Sequence, residues 1–294
     1  MGGKQTTPQS MSESELESTA RDLLPGSIDF HIHGGPDVRP RKLSELAVAQ
    51  AAKQAGMKAV IIKNHVTPTT LRARLISEVL GGFPVFGGLV LNKQAGGLNP
   101  AAVEVEIKLG AKEIWLPTIS AVAQVQLSKG NMADAVPITD ERGAFLPALI
   151  EVLDLVAKAG VILGTSHLAA EEVEKVVCLA CQRKIEKIVI THPENDPPAM
   201  PLEIQKRIAA QGVFFERTYV STLPPRKMTA EILAGHIKAV GAQSTIMATD
   251  LGQAENEEPV KGFIMFMKSM MALGIPADQI ATMVRKNPAQ LLGC

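Results

Sequence analysis

Eight short, almost wholly apolar runs are each followed by a segment with helical periodicity. The first is SIDFHIH before KLSELAVAQAAKQAG, and the last is STIMATD before the helical C-terminal region. Between them come KAVIIKNH, PVFGGLVLN, KEIWLPTI, VILGTSH, KIVITH and VFFERT. Runs this short and this continuously apolar suit parallel strands buried on both faces, with helices as the covering layer. Closing eight such units gives a (β/α)8 barrel, the TIM-barrel form of the α/β class, which needs roughly 250 residues. The 294 residues suffice for it. An open doubly wound sheet is the poorer fit, because the first run-to-helix turn has no G-x-G-x-x-G and no P-loop occurs anywhere.

Residues 1–20, rich in Ser, Gln, Thr and Glu, read as a disordered tail, and 21–294 as the barrel. The opening MGGKQT matches the loose myristoylation pattern, which is short enough to arise by chance. Thirty basic and thirty acidic residues cancel and only ten residues are aromatic, which argues against nucleic acid as a partner. No apolar run approaches the ~18 residues of a membrane span and no secretory leader is visible, so a soluble, cytoplasmic protein is expected. Three cysteines fit a reducing compartment. Cys178 and Cys181 form a C-x-x-C inside a helical pattern and read as buried residues on a helix face.

Function in such a barrel gathers at the C-terminal ends of the strands. Those ends carry His31 and His33, Lys63 and His65, Asn92, Thr118, His167, His192, Glu216 and Asp250, in chain order. Five of the six histidines therefore fall on one rim, while His236, within AEILAGHIKAV, is expected to pack or face solvent. On a regular strand Asp29, His31 and His33 would share one face and Ile28, Phe30 and Ile32 the other. Imidazoles and a carboxylate suit a borderline divalent ion, which can lower the pKa of a bound water from 15.7 to about 7. A neighbouring carboxylate can take the proton.

The HxH of IDFHIH, the single histidines of GTSHL and ITHPE, the aspartate of MATDLG and the closing VRKNPAQLLG together resemble the amidohydrolase superfamily of metal-dependent hydrolases, over about residues 25–294. The resemblance implies that His31, His33 and Asp250 bind the metal. It further implies that His167 and His192 ligate it or polarise the substrate, and that Asp250 is the general base, with His192 beside it among the catalytic residues. Zinc is the expected ion, with Mn²⁺ or Fe²⁺ as alternatives. Binuclear members carry a bridging lysine or glutamate at the end of the third or fourth strand, where this chain has Asn92 and WLPTIS. Lys112 and Glu113 begin the fourth run, far below the rim, so one ion is expected rather than two.

The small-molecule substrate is expected to be attacked at a C–N or ester bond. Lys63, His65, Glu216 and Arg217 are the candidate substrate-binding residues. A cation at Lys63 would suit an anionic substrate unless it pairs with Glu216 or Asp29, and Arg39 and Arg41 are further loop candidates. The insertion at 119–147 reads as part of a lid or an oligomer contact, and a homo-oligomer is expected. A metal-dependent decarboxylase on the same scaffold and a non-catalytic metal-binding barrel are the competing readings.

Overall fold

The computed structural model describes residues 11–294. The strands are β1 (Ile28–Ile32), β2 (Ala59–Ile62), β3 (Val85–Phe86), β4 (Gly88–Val90), β5 (Glu113–Trp115), β6 (Ile162–Gly164), β7 (Ile188–Thr191), β8 (Phe214–Thr218) and β9 (Thr245–Ala248). All pair in parallel and in chain order, as β1-β2-β3 and β4 through β9. The third apolar run supplies both β3 and β4, which are separated at Gly87. A Cβ on Gly87 would run into the backbone of Thr69, and one on Gly88 into the carbonyl of Glu113, so this run is bare where neighbouring chain crowds it. The first and last strands meet at a parallel bridge, Ile32 to Leu251, with His33 N donating to Leu251 O and Asp250 N to His31 O, both at 2.8 Å. The architecture is the expected (β/α)8 barrel.

Two apolar layers follow from the alternation of side chains. Ala59, Ile61, Val90, Trp115, Val189 and Ile246 face inward, and Leu291 and Leu292 of the C-terminal helix join their cluster. The closing NPAQLL helix thus contributes to the inner core. Leu89, Ile114, Leu163, Ile190 and Phe215 face outward against the helices. Strand β1 departs from this alternation. Asp29 pairs with Val60 and Ile32 with Ile62, so three steps along β1 match two along β2. The bulge keeps Ile28 and Phe30 in the inner cluster, sends Ile32 to the outer one and turns His31 inward as well. The single shared face expected for Asp29, His31 and His33 is therefore broken. Asp29 instead accepts hydrogen bonds from Thr249 N (2.9 Å) and Thr249 Oγ1 (2.6 Å) across the seam.

The expected disordered stretch to residue 20 is corrected over its second half. Ser12 caps α1 (Glu13–Leu23) with a reciprocal box to Glu15. The helix buries Leu16, Ala20 and Leu23, spaced as one face, beside the helix Pro259–Ala272. Polar residues on the remaining faces made this segment resemble a tail. The MGGKQT pattern lies outside the described residues. The cysteines also depart from expectation: Cys178 is exposed and Cys181 half-buried, because the helix Ala170–Gln182 turns Val173, Val176, Val177 and Ala180 to the core instead. No helix among the described residues is long and apolar enough to cross a membrane.

Candidate active site

Five histidines, His31, His33, His65, His167 and His192, line one cavity of about 670 Å³ at the C-terminal end of the strands, together with Asp250. His31 Nε2, His33 Nε2 and Asp250 Oδ1 form a triangle with sides of 3.2, 3.4 and 3.2 Å. A tetrahedral ion with bonds of ~2.0–2.1 Å sets its ligands about 3.3 Å apart. His33 Nδ1 donates to the Lys63 carbonyl at 2.8 Å, so in the neutral ring Nε2 presents a lone pair. His31 Nδ1 meets Glu216 Oε1 at 2.8 Å, and with the shared proton on Nδ1 its Nε2 presents a lone pair too. Two lone pairs and a carboxylate oxygen converging on one point, all buried, fit a divalent cation.

The electrostatics agree with that fit. Burial lowers the basicity of all five imidazoles: His31, His65 and His167 well below the ordinary value, His33 below it, and His192 to about 4. They are neutral, the form that ligates. Burial alone would raise the Asp250 carboxyl; a proton on His31 or His33 draws it the other way, to well below the usual carboxylate range. Asp250 and His192 occupy the left-handed region, at φ 54° and 28°, which a non-glycine residue adopts only when its surroundings impose it. For Asp250 the seam hydrogen bonds impose it.

His167 and His192 stand apart from the triangle. The ring centroids of His31 and His192 are 6.2 Å apart, those of His167 and His192 4.8 Å. His167 Nδ1 bonds Gln124 Oε1 at 2.9 Å, whereas His192 Nδ1 is buried without a partner among the described residues. Among the described residues, the triad His31, His33 and Asp250 is the one group of three or more such side chains gathered closely enough to hold an ion. His65 Nδ1 bonds Thr118 Oγ1 at 2.8 Å, and Asn92 ties the same corner by bonding the backbone of His65, Thr118 and Ser120. Asn92 and Thr118 thus set the rim rather than face the cavity.

Three of the four expected substrate-binding residues do not reach the cavity. His65 lines it, but Lys63, Glu216 and Arg217 are wholly buried. Lys63 and Glu216 point inward one layer below the rim, where the Lys63 ammonium lies 5.2 Å from the Trp115 ring centroid and forms neither of the ion pairs weighed for it. Arg217, one residue past inward-facing Glu216, points outward to Glu194 and Gln205. His236 joins that outer cluster through Glu194 Oε1 at 3.0 Å, so it is neither simply packed nor solvated. The insertion contributes Ile119, Gln124 and Ser128 to the cavity wall. Asn195 and Arg226 carry no sequence signal beyond lying in loops that follow strands, and Gln124, on the short helix Val122–Leu127 within the insertion, carries none either.

Glu113 is buried beside the Lys63 layer, and burial pushes its carboxyl up to about 8 against the opposing effect of Lys63. The folded chain then keeps this proton while the unfolded chain loses it near 4.5. Its contribution to stability is complete below that value and declines as pH rises toward 8. Glu113→Gln, which mimics the protonated acid, should gain on the wild type by roughly 1.4 kcal/mol per pH unit between pH 5 and 7. Urea denaturation across that range checks the slope, and a difference independent of pH would show that Glu113 is ionised in the fold.

Solved structures share this fold over more than nine-tenths of this chain. An amidohydrolase from Pseudomonas aeruginosa superposes with a TM-score of 0.65 at 12% identity, over 93% of this chain and 98% of that one. An organophosphorus hydrolase from Deinococcus radiodurans gives 0.59 at 15%, over 93% and 94%. An N-acetyl-D-glucosamine-6-phosphate deacetylase from Mycobacterium smegmatis gives 0.53 at 16%, over 92% and 76%. The amidohydrolase resemblance thus holds at the level of the fold. No curated protein matches the sequence. A family of unknown function, DUF6282, matches residues 26–216, well over half the chain and a span that includes all five cavity histidines, and the chain belongs to that family.

Proposed function

We propose that this protein is a metal-dependent hydrolase of the amidohydrolase type, acting on a C–N or ester bond of a small metabolite. The observation that carries the reading is the buried triangle of His31 Nε2, His33 Nε2 and Asp250 Oδ1 at the C-terminal mouth of the barrel. These three residues would hold one divalent ion, with zinc favoured by the nitrogen and oxygen donors. When bound, such an ion polarises the scissile carbonyl and makes water acidic enough to attack near neutral pH.

Each further step belongs to the chain. Asp250 Oδ2 has no hydrogen-bond partner among the described residues, and the side chain is 10% exposed, so it can accept the proton of the attacking water and pass it to the leaving group. His167 and His192, on the same cavity wall, orient the substrate, with Gln124 fixing the His167 ring. Glu216 and the Lys63 carbonyl hold the ligand rings in orientation from beneath. Support for a hydrolase over a decarboxylase comes from the neighbours' described activities, which include an organophosphorus hydrolase and a deacetylase. Support for catalysis over a structural ion comes from ligands drawn from distant strands and facing a cavity rather than enclosed by a fourth protein ligand.

Elemental analysis of protein purified without chelator should find about one equivalent of a transition metal, lost in the double variant His31→Ala, His33→Ala. Two equivalents would overturn the single-ion reading. No metal, even after reconstitution with Zn²⁺, Mn²⁺ or Fe²⁺, would overturn the hydrolase reading itself.

A further inference from the structure

The mouth of the cavity carries positive charge that the proposed chemistry leaves unused. Arg39, Arg41 and Arg226 line it. Arg41 is committed to Asp37 through Nε and Nη2 at 2.7 and 2.6 Å. Arg39 and Arg226 form no ion pair among the described residues. Arg39 lies on the loop after β1, which is pinned to the loop after β9 by an antiparallel bridge between Arg41 and Gln253. Arg226 lies on the loop after β8, so the two guanidinium groups flank the segment that carries Asp250.

Two features connect these arginines to a ligand rather than to solvent. Arg226 also lines a second chamber of about 520 Å³ that shares Gln124, His167, His192 and Asn195 with the first, which places it at the junction. Apart from imidazoles, the wall of the main cavity has no aromatic side chain, so it offers little to a flat apolar ligand. Its one exposed acid, Glu255, is outnumbered by the two free arginines.

We infer that Arg39 and Arg226 bind an oxyanion, a carboxylate or a phosphate, borne by the substrate at the end away from the scissile bond. The inference rests on the proposed hydrolase reading only for what the anion is attached to. A guanidinium group can donate two parallel hydrogen bonds to a pair of oxygens on either anion. The substrate class is then an anionic amide or ester, anchored at the mouth with its carbonyl over His31, His33 and Asp250.

Isothermal titration of the purified protein with inorganic phosphate and, separately, with malonate tests the site without a known substrate. Arg39→Gln and Arg226→Gln should each weaken binding about tenfold, as expected for loss of one charge-assisted contact, and added salt should weaken it further. Both positions are exposed, so melting temperatures should be unchanged and will exclude misfolding. The His31→Ala, His33→Ala protein should still bind within about threefold of wild type, which separates this site from the ion. Preference for phosphate or for malonate identifies which anion the clamp selects. If binding survives both arginine variants but vanishes in the histidine variant, the anion sits at the ion and the inference fails while the hydrolase reading stands. If neither probe binds the wild type at millimolar concentration, the inference fails as well. Binding that is lost with the arginines in a protein that hydrolyses no amide or ester would leave the clamp intact and overturn the hydrolase reading.

Discussion

Asp250→Asn should lower turnover of any amide, lactone or ester that the wild type hydrolyses by at least about a thousandfold, with little change in melting temperature. The carboxylate serves twice in the proposed chemistry. Oδ1 closes the ligand triangle at 3.2–3.4 Å from the two imidazoles, and Oδ2 is the acceptor for the proton of the attacking water. Asparagine keeps the shape and one oxygen but cannot take a proton. Loss of a positioned general base alone costs about 10²–10⁴ in rate, and a neutral ligand also weakens the hold on the ion. Because Asp250 already occupies φ 54°, a region that asparagine tolerates, the backbone should accept the change. Measuring kcat together with metal content separates the two losses. A variant that keeps its ion and retains activity within tenfold would remove Asp250 from the role of base.

Gly252→Ala should damage the same site through the backbone. Gly252 has φ +137°, and a Cβ there would overlap the carbonyl of His33. That carbonyl belongs to the residue whose Nε2 forms one corner of the triangle, so relief of the clash must move either the His33 backbone or the loop that carries Asp250. A stability loss of about 3 kcal/mol is expected, seen as a fall in melting temperature of roughly 6–10 °C. Metal affinity should fall at least about tenfold through displacement of ligands that are themselves unchanged. Gly212→Ala is the control: its φ is +79° with open space around the new methyl, so only the left-handed backbone term of about 1 kcal/mol should appear. Equal losses at the two sites would show that strain in φ, rather than the contact with His33, sets the effect.

The order of the barrel was legible because each unit is locally self-consistent: a short apolar run, a break, then a helical period. The five rim histidines could be named for the same reason, since strand ends are where apolar runs stop. What stayed hidden was the direction of side chains within a strand. Arg217 and Glu216 are neighbours in sequence, yet one faces the helices and the other the barrel axis, and strict alternation assigns them only once the phase of β8 is known. On β1 alternation itself gives way to a bulge, which a run such as IDFHI does not announce. Lys63 shares parity with His65, which points to the mouth, but parity fixes a face and not a depth. Helix α1 resembles a tail in sequence because only Leu16, Ala20 and Leu23 are turned to the core, too few apolar positions to stand out against the Ser and Glu around them. Arg226 has no local pattern at all, and only the closing of loops around a common mouth gives it neighbours.

The ligand triangle spans the seam. His31 and His33 extend from the first strand, Asp250 follows the last, and the backbone bonds between Asp250 and His31 and between His33 and Leu251 join them. More than two hundred residues of chain separate the two halves of the site. The triangle is therefore a product of circular closure and exists only after every intervening unit has taken its place. As the chain leaves the ribosome, the histidine pair is synthesised early and waits through seven more strand–helix units for its third partner. An ion bound there as proposed would act as a latch on the ring, coupling its affinity to the completeness of the whole barrel instead of to any one segment of it.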